Sequence, residues 1–412
     1  MLSLDEALAR LVAGAQVARI HDIEQLSTFD ALGRVLAQDV VSAIDVPPAD
    51  NSSMDGYALR CDDVVLAGTV LPQSQRIAAG AVGAPLAAGT VARIFTGAQV
   101  PAGADAIVMQ ERCTAVDGGV RIDELPQPGQ WIRRRGEDVQ AAATVLSNGM
   151  RLTPQALGLV AGVGAATLTV LRRPRVALFS TGDELVMPGS VPPEALPAGA
   201  IYNSNRYTLR GLLLAAGCEV SDLGIVPDRL DATRAALRVA AQAHDLVLTS
   251  GGVSVGEEDH IKPAVAAEGR IEVWQVDIKP GKPLAFGALR RAAANGERDC
   301  LFLGLPGNPV SSFVTFLLAV QPVLRAMQGL TATLPTSTSM RADFNWPRAD
   351  RRREFLRVRR NLEGGLDLYP NQSSGVLTST VWADGLVDNP PEQAIRCGDT
   401  VAYRNLEAWI GR

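Results

Sequence analysis

Leu4, Ala7, Leu8 and Leu11 recur at helical spacing behind Ser3 and Glu6, which stand in capping-box order. The chain therefore opens on an amphipathic helix. The apolar spacing predicts a second helix around Asp30 to Leu36. The run AIDVPPADNSSMDGYALR, with two prolines, Asn and Ser, reads as a loop. From Val64 to about Val145, short β-branched runs (VARIF, AIVMQ, GVRI) alternate with Gly, Pro and Ala turns and predict an all-β module. Gly149 to Leu171 returns to a helix and a strand.

The texture changes at Pro174. RVALFS has the continuous apolar character of a buried parallel strand. It is followed by a helix at Asn205 to Ala216, the strand EVSDLGIV, a helix at Leu230 to Ala243 and the strand DLVLTS. After a loop and a helix come IEVWQV, PLAFG and CLFLGL, then a long helix from Pro309 to about Met327. Strands alternating with helices of this length predict βαβ units and a doubly wound α/β sheet. Thr331 to Arg412, rich in prolines, glycines and short β-like runs, reads as a small β-barrel or sandwich.

Composition narrows the function classes. The 412 residues are 47% hydrophobic and 20% charged, enough apolar side chain for more than one core. A net charge of −5 argues against a general nucleic-acid or membrane-surface binder, so no nucleic-acid or membrane partner is expected. Cys61, Cys113, Cys218, Cys300 and Cys397 include no CxxC pair and are odd in number, which predicts reduced thiols. The N-terminus has no basic leader before its apolar residues, and the uncharged stretch Thr153 to Leu171 is broken by glycines. A cytoplasmic protein is expected.

Ligands of open α/β sheets bind outside the carboxyl ends of the strands. Three segments stand there: STGDEL (180–185), SGGVSVGEED (250–259) and GLPGNPV (304–310). One such loop is ordinary turn punctuation; three at one sheet edge point to a phosphate or oxyanion cradle. Gly251, Gly252 and Gly256 let the main chain approach a ligand, and Ser250 and Ser254 add hydroxyls. Lys279 and Lys282 in IKPGKP supply positive charge. Asp183, Glu184, Asp228 and Asp259 at strand ends predict Mg²⁺ beside phosphate, although Asp183 and Asp259 also suit helix caps. There is no GxxxxGK[ST] loop. With only His21, His244 and His260, no histidine triad or histidine metal site is expected.

Taken together, DNSSMDGYA (50–58), IFTGAQVPAGADAIVMQE (94–111), IRRRGED (132–138), VALFSTGDEL (176–185), SGGVSVGEED, IKPGKP (278–283) and GLPGNPVS (304–311) resemble the molybdopterin molybdenumtransferase (MoeA) family and the matching domain of gephyrin. The resemblance implies an elongated α+β domain from 1–44 and 141–173, a β-rich inserted domain at 45–140, an α/β domain at 174–328 and a C-terminal β-barrel at 329–412. It also implies a homodimer whose active site lies between the α/β domain of one subunit and the β-rich domain of the other. The implied reaction inserts molybdate, a substrate, into adenylylated molybdopterin with release of AMP and with Mg²⁺. Other cofactor-biosynthesis proteins are implied as partners.

By matching motif, the implied catalytic residues are Asp55, Thr96, Glu184, Asp228, Asp259 and Lys279, with Asp259 and Glu184 as Mg²⁺ ligands. Arg133, Arg134, Arg135, Ser250, Gly251, Gly252, Ser254, Lys282, Pro306, Asn308 and Pro309 are implied in substrate binding, and Ser373 and Ser374 in NQSSGVL face molybdate. The chain departs from the family at Gln275, where Lys is common, at Asn203 for Asp and at His260 for Tyr. Gln275 and the nearby Asp277 leave that wall less positive. Two other readings remain open. A molybdopterin adenylyltransferase would use the same α/β cradle, but the N-terminal half argues against it. A non-enzymatic scaffold would carry a long linker and a second α/β module.

Overall fold

The computed structural model describes residues 1–253, 260–292 and 298–410. The chain forms two compact units: Met1–Glu24, Gly33–Ala37 and Val170–Arg412 make one, Gln25–Leu32 and Gln38–Thr169 the other.

The first unit is built on a six-stranded sheet. Its strands are β1 (Arg175–Thr181), β2 (Glu219–Val226), β3 (Leu246–Ser250), β4 (Gly269–Gln275), β5 (Pro283–Leu289) and β6 (Cys300–Leu305). The order is β2-β1-β3-β6-β5-β4; the first four are parallel, β5 runs against them, and the edge strand β4 pairs antiparallel with β5. Alternation along each strand feeds two cores. Val176, Leu178, Leu246, Leu248, Leu301 and Leu303 face α1 (Leu4–Val17), α2 (Ser204–Ala215) and the long helical run Pro309–Met327. Ala177, Phe179, Val247 and Phe302 face α3 (Leu230–Ala243) and α4 (Ile261–Glu268). Each fully buried Phe or Leu on these strands contributes roughly 1.5–3 kcal/mol. The doubly wound sheet read from the sequence is therefore present, with an antiparallel pair of strands added at one edge.

The capping box forms as read: Ser3 Oγ accepts from Glu6 N at 3.3 Å, and Glu6 Oε2 accepts from Ser3 N at 2.9 Å. The helix expected at Asp30 to Leu36 does not form. Thr28–Asp30 makes one 3-10 turn, Gly33 adopts φ 74°, and Leu36 bridges to Val170. Burial of Ala31, Val35 and Leu36 imitates a helical stripe, but a left-handed Gly33 breaks the helical path. Pro309–Met327, with mean hydropathy 1.5, is long and apolar enough to cross a membrane by composition, and 89% of its most apolar window is buried. It is the central helix of the α/β core.

Thr338–Ala342, Arg353–Arg360, Gly365–Leu368, Gly385–Asn389 and Thr400–Asn405 close a five-stranded barrel around Leu356, Val358, Leu366, Val387 and Val401. Of the two shapes expected for the C-terminal part, the barrel is the one formed. Its Asp343 accepts from Arg341 Nε at 2.6 Å and from Asn361 Nδ2 at 2.9 Å, and these bonds hold its carboxyl down to about 2. A folded value below the ordinary 3.8 means this stabilisation is complete above about pH 4 and is lost as pH falls toward 2. Thermal unfolding of Asp343→Asn and of the unmodified protein should differ at pH 6 and converge near pH 2. A gap that persists there would assign the loss to packing.

The second unit is β-rich. A four-stranded sheet runs Gln73–Ile77, Val91–Ile94, Gly56–Leu59, Ala106–Met109, and a three-stranded one runs Thr69–Leu71, Gly119–Ile122, Cys113–Val116. VARIF, AIVMQ and GVRI supply strands where the alternation places them. Pro154–Gly162 is a helix capped by Thr153, whose Oγ1 accepts from Ala156 N at 3.2 Å.

Candidate active site

The loops after β1, β3 and β6 converge on one cleft of about 300 Å³ in the α/β unit. Thr181 ends β1 and Gly182 and Glu184 follow it, Gly251, Gly252 and Val253 come from the second loop, Pro306, Gly307 and Asn308 from the third, and Ser311 from the helix after it. Asp228, after β2, and Pro283, at the start of β5, complete the lining. Parallel strand direction explains the convergence, because it places every strand's carboxyl end on the same side of the sheet.

Several residues read as cradle donors stand elsewhere. Ser250 is buried, its hydroxyl 3.3 Å from that of Ser180 on the neighbouring strand. The Gly251 amide donates to the Leu305 carbonyl at 3.1 Å and is not a ligand donor in this arrangement. Asp183 is exposed in a turn before the short strand Leu185–Val186 and caps no helix. Ser254, Gly256 and Asp259 lie outside the described residues, so the first Mg²⁺ candidate is not placed.

Two hydroxyls in the cleft escaped the sequence reading. Thr181 Oγ1 is buried and has no hydrogen-bond partner among the described residues. Ser311 lies in the first turn of the Pro309 helix. The strand alternation that hides Ser180 is the signal that would have singled out Thr181. Asn205 was also missed. Its Nδ2 donates to the Gly307 carbonyl at 2.7 Å and ties α2 to the PGNP loop.

Gly252 has φ 63°, and a Cβ there would sit 2.7 Å from Ile261 Cγ1 and 2.8 Å from Thr181 Oγ1. Main chain thus forms this wall, as the glycines suggested. Among the described lining residues the only charged groups are Glu184 and Asp228, both carboxylates. The described lining thus holds two of the expected carboxylates without the lysines expected beside them.

Lys279 and Lys282 are not among its lining residues. Ile278–Lys279 adds a parallel strand to the barrel, in register with Arg353 and Glu354. The Lys279 ammonium lies 3.1 Å from Glu354 and 3.2 Å from Asp350. Glu354 is 1% exposed and also accepts from Trp346 Nε1 at 2.9 Å. Lys279 is therefore an ion-pair partner in this structure.

The loop carrying Ser373 and Ser374 does reach the third strand-end loop. Val310 N, in the first turn of the long helix, donates to the Ser374 carbonyl at 3.0 Å. Beneath it, buried Arg357 donates to the Ser373 carbonyl at 3.2 Å and to Ser379 Oγ at 3.2 Å. Loss of water pushes that guanidinium down to about 10.

In the β-rich unit, Asp55 Oδ1 accepts from both N and Oγ1 of Thr96 at 2.8 Å. These bonds, with Arg93 nearby, hold its carboxyl below the ordinary range. Asn51–Ser52 pairs with Ile132–Arg133, joining the DNSSMDGYA and IRRRGED motifs. Arg134 pairs with Asp50 at 2.6 Å and Arg135 with Asp45, which anchors the loop locally. Arg133 alone of the three is exposed without an ion pair among the described residues.

Known proteins share this organisation. The MoeA N-terminal region (domains I and II) matches residues 2–164, a probable molybdopterin binding domain matches 177–326, and the MoeA C-terminal region (domain IV) matches 339–406. A molybdopterin molybdenumtransferase of Haemophilus influenzae is 41% identical over 359 residues, 87% of this chain and 85% of that protein. Another, from a Nostoc species, is 38% identical over 75% of this chain and 70% of its own length. The crystal structure of a molybdopterin biosynthesis moeA protein from Pyrococcus horikoshii superposes with a TM-score of 0.83 at 27% identity, covering 98% of this chain and 99% of that one. Three regions in family order, and relatives this similar along most of both chains, establish that the chain belongs to the MoeA family of molybdopterin molybdenumtransferases.

Proposed function

We propose that this transferase inserts molybdate into the dithiolene of adenylylated molybdopterin, with release of AMP and with Mg²⁺. The observation that carries the reading is the single cleft where three strand-end loops meet around Glu184 and Asp228. A phosphoanhydride and molybdate are both anions, and an acidic cleft repels them unless a cation intervenes. Carboxylate oxygens are the donors Mg²⁺ prefers. Glu184 and Asp228 would hold it, and Asp259, outside the described residues, is the further donor that the motif implies. Held there, Mg²⁺ would supply the positive charge that offsets the repulsion between phosphate and molybdate.

The chain's own groups do the rest. Gly252 lets a phosphate approach the main chain, and Thr181 Oγ1 offers it a hydroxyl. Ser373 and Ser374, held by Val310 and Arg357, present small polar groups for molybdate. Asp55, kept ionised by Thr96, orients water or a substrate donor. Lys279 and Arg133 supply positive charge, the former after exchanging a carboxylate for the anion. In the reaction, two dithiolene sulfurs bind molybdenum in place of two molybdate oxygens; the two thiol protons and two more from water-borne acid go to those oxygens, which leave as two waters. Water opens the anhydride, giving AMP and the phosphorylated pterin. The working form in this proposal is a cytoplasmic homodimer with the four-domain division that the resemblance implies.

The test incubates the protein with adenylylated molybdopterin and Mg²⁺, with and without molybdate. AMP release that depends on molybdate is expected. AMP release indifferent to molybdate would sink the proposal. Pyrophosphate release from ATP and molybdopterin would favour adenylyl transfer instead.

A further inference from the structure

One face of the four-stranded sheet in the β-rich unit ends in an unusual row. Arg76 stands in register beside Arg93, and Arg93 beside Tyr57. Phe95, just beyond the strand, contacts both arginines. Each guanidinium carbon lies 4.5 Å from its ring centroid, and that of Arg93 lies 5.3 Å from the Tyr57 ring. The contacts run Tyr57, Arg93, Phe95, Arg76, with rings and cations alternating.

Sheet stability alone does not account for this row. Like charges directly opposite one another on adjacent strands repel. Neither arginine has an ion-pair partner among the described residues. Arg93 is fixed instead by the Gly56 carbonyl at 2.8 Å and Gln110 Oε1 at 2.6 Å. Arg76 is exposed on the outer strand, and its only interaction among the described residues is with Phe95. A pre-positioned cation stack remains, with its last guanidinium open to solvent. Its inner end adjoins the Asp55–Thr96 pair, since Thr96 follows Phe95 and Arg93 acts on the Asp55 carboxyl.

We propose that this shelf is a binding subsite for a flat heteroaromatic ring that carries an anionic group, the chemistry shared by a pterin phosphate and a nucleotide. The ring stacks on the Arg76 guanidinium as the next rung, and Arg76 with Arg93 takes the negative charge. The inference rests on the reading that this chain acts on a pterin nucleotide, and assigns one ring of it to the β-rich unit.

The test measures equilibrium binding of two probes, fluorescent pterin-6-carboxylate and AMP, to the full chain and to Arg76→Gln and Phe95→Leu. Thermal unfolding confirms that each variant is folded. If the pterin occupies the shelf, both variants weaken pterin-6-carboxylate about tenfold and leave AMP within about twofold. The reverse pattern identifies the adenine ring, and supports the subsite equally. Unchanged binding of both probes, or no binding of either to the unmodified protein, overturns it. Molybdate-dependent AMP release, assayed separately, tells the two ideas apart. Release with an indifferent shelf overturns the subsite alone, and a responsive shelf without release overturns the reaction alone.

Discussion

Lys279→Met should lower stability by ~2 kcal/mol and turnover on the order of 100-fold, and a second substitution should restore only the first. The stability loss follows from Glu354. Its carboxylate is 1% exposed and receives Lys279 Nζ at 3.1 Å, Trp346 Nε1 at 2.9 Å and the Asp350 amide at 3.4 Å. Removing the ammonium leaves a buried negative charge with only neutral donors. A fully buried pair broken this way loses about 3–5 kcal/mol, but Lys279 is 38% exposed, so solvent screens part of the loss. Glu354→Gln in the same chain removes the orphaned charge while keeping volume and an acceptor. Urea unfolding should then recover most of the ~2 kcal/mol. Turnover in the double variant should stay low if the ammonium handles an anion, because the cleft itself offers no cation among its described residues. Recovery of turnover along with stability would reduce Lys279 to a structural partner of the barrel.

The sequence exposes the elements that local pattern determines. Ser3 and Glu6 announce the first helix, and the apolar runs at 175–181, 246–250 and 300–305 announce parallel strands, because periodicity and capping act over a few residues. Strand direction then sends three glycine-bearing loops to one edge, so the cleft's location was legible too. The place of Lys279 was not. The acids that neutralise Lys279 are about 70 residues away and meet it only because Ile278–Lys279 joins the barrel. The same limit applies to Arg134 and Arg135, whose partners Asp50 and Asp45 are brought near by a long-range strand pairing. At 30–36 the failure was local. Ala31, Val35 and Leu36 are buried at spacings a helix would also bury, and only Gly33 distinguishes the two. Between Ser180 and Thr181 the decision rested on strand phase, which composition does not reveal: Ser180 turns to Ser250, and Thr181 lines the cleft.

Alanine at Gly251 should be strongly destabilising, and alanine at Gly307, across the same cleft, should be nearly silent for the fold. Gly251 sits at φ 92°, which costs an L-residue about 1–2 kcal/mol. A Cβ there would also overlap the Thr181 carbonyl oxygen, a backbone atom at the end of β1 that has no rotamer by which to withdraw. Strain and overlap together should destabilise by ~3 kcal/mol. The shift has a direct path to function, because the Gly251 amide bonds Leu305 O and so fixes the second loop against the third. Moving it displaces Gly252 and Thr181 together, so affinity for AMP, whose phosphate this wall would hold, should fall by about 100-fold. Gly307 differs in both respects. Its nearest neighbour to a new Cβ is Gly251 Cα at 3.8 Å, an ordinary contact, so Gly307→Ala should unfold within about 0.5 kcal/mol of the unmodified protein. Denaturant midpoints and titration with AMP would read both effects. A Gly251→Ala protein as stable as Gly307→Ala, with unimpaired AMP binding, would mean that the β1 loop yields, and that the cleft's shape is not set by backbone contact between its first two loops.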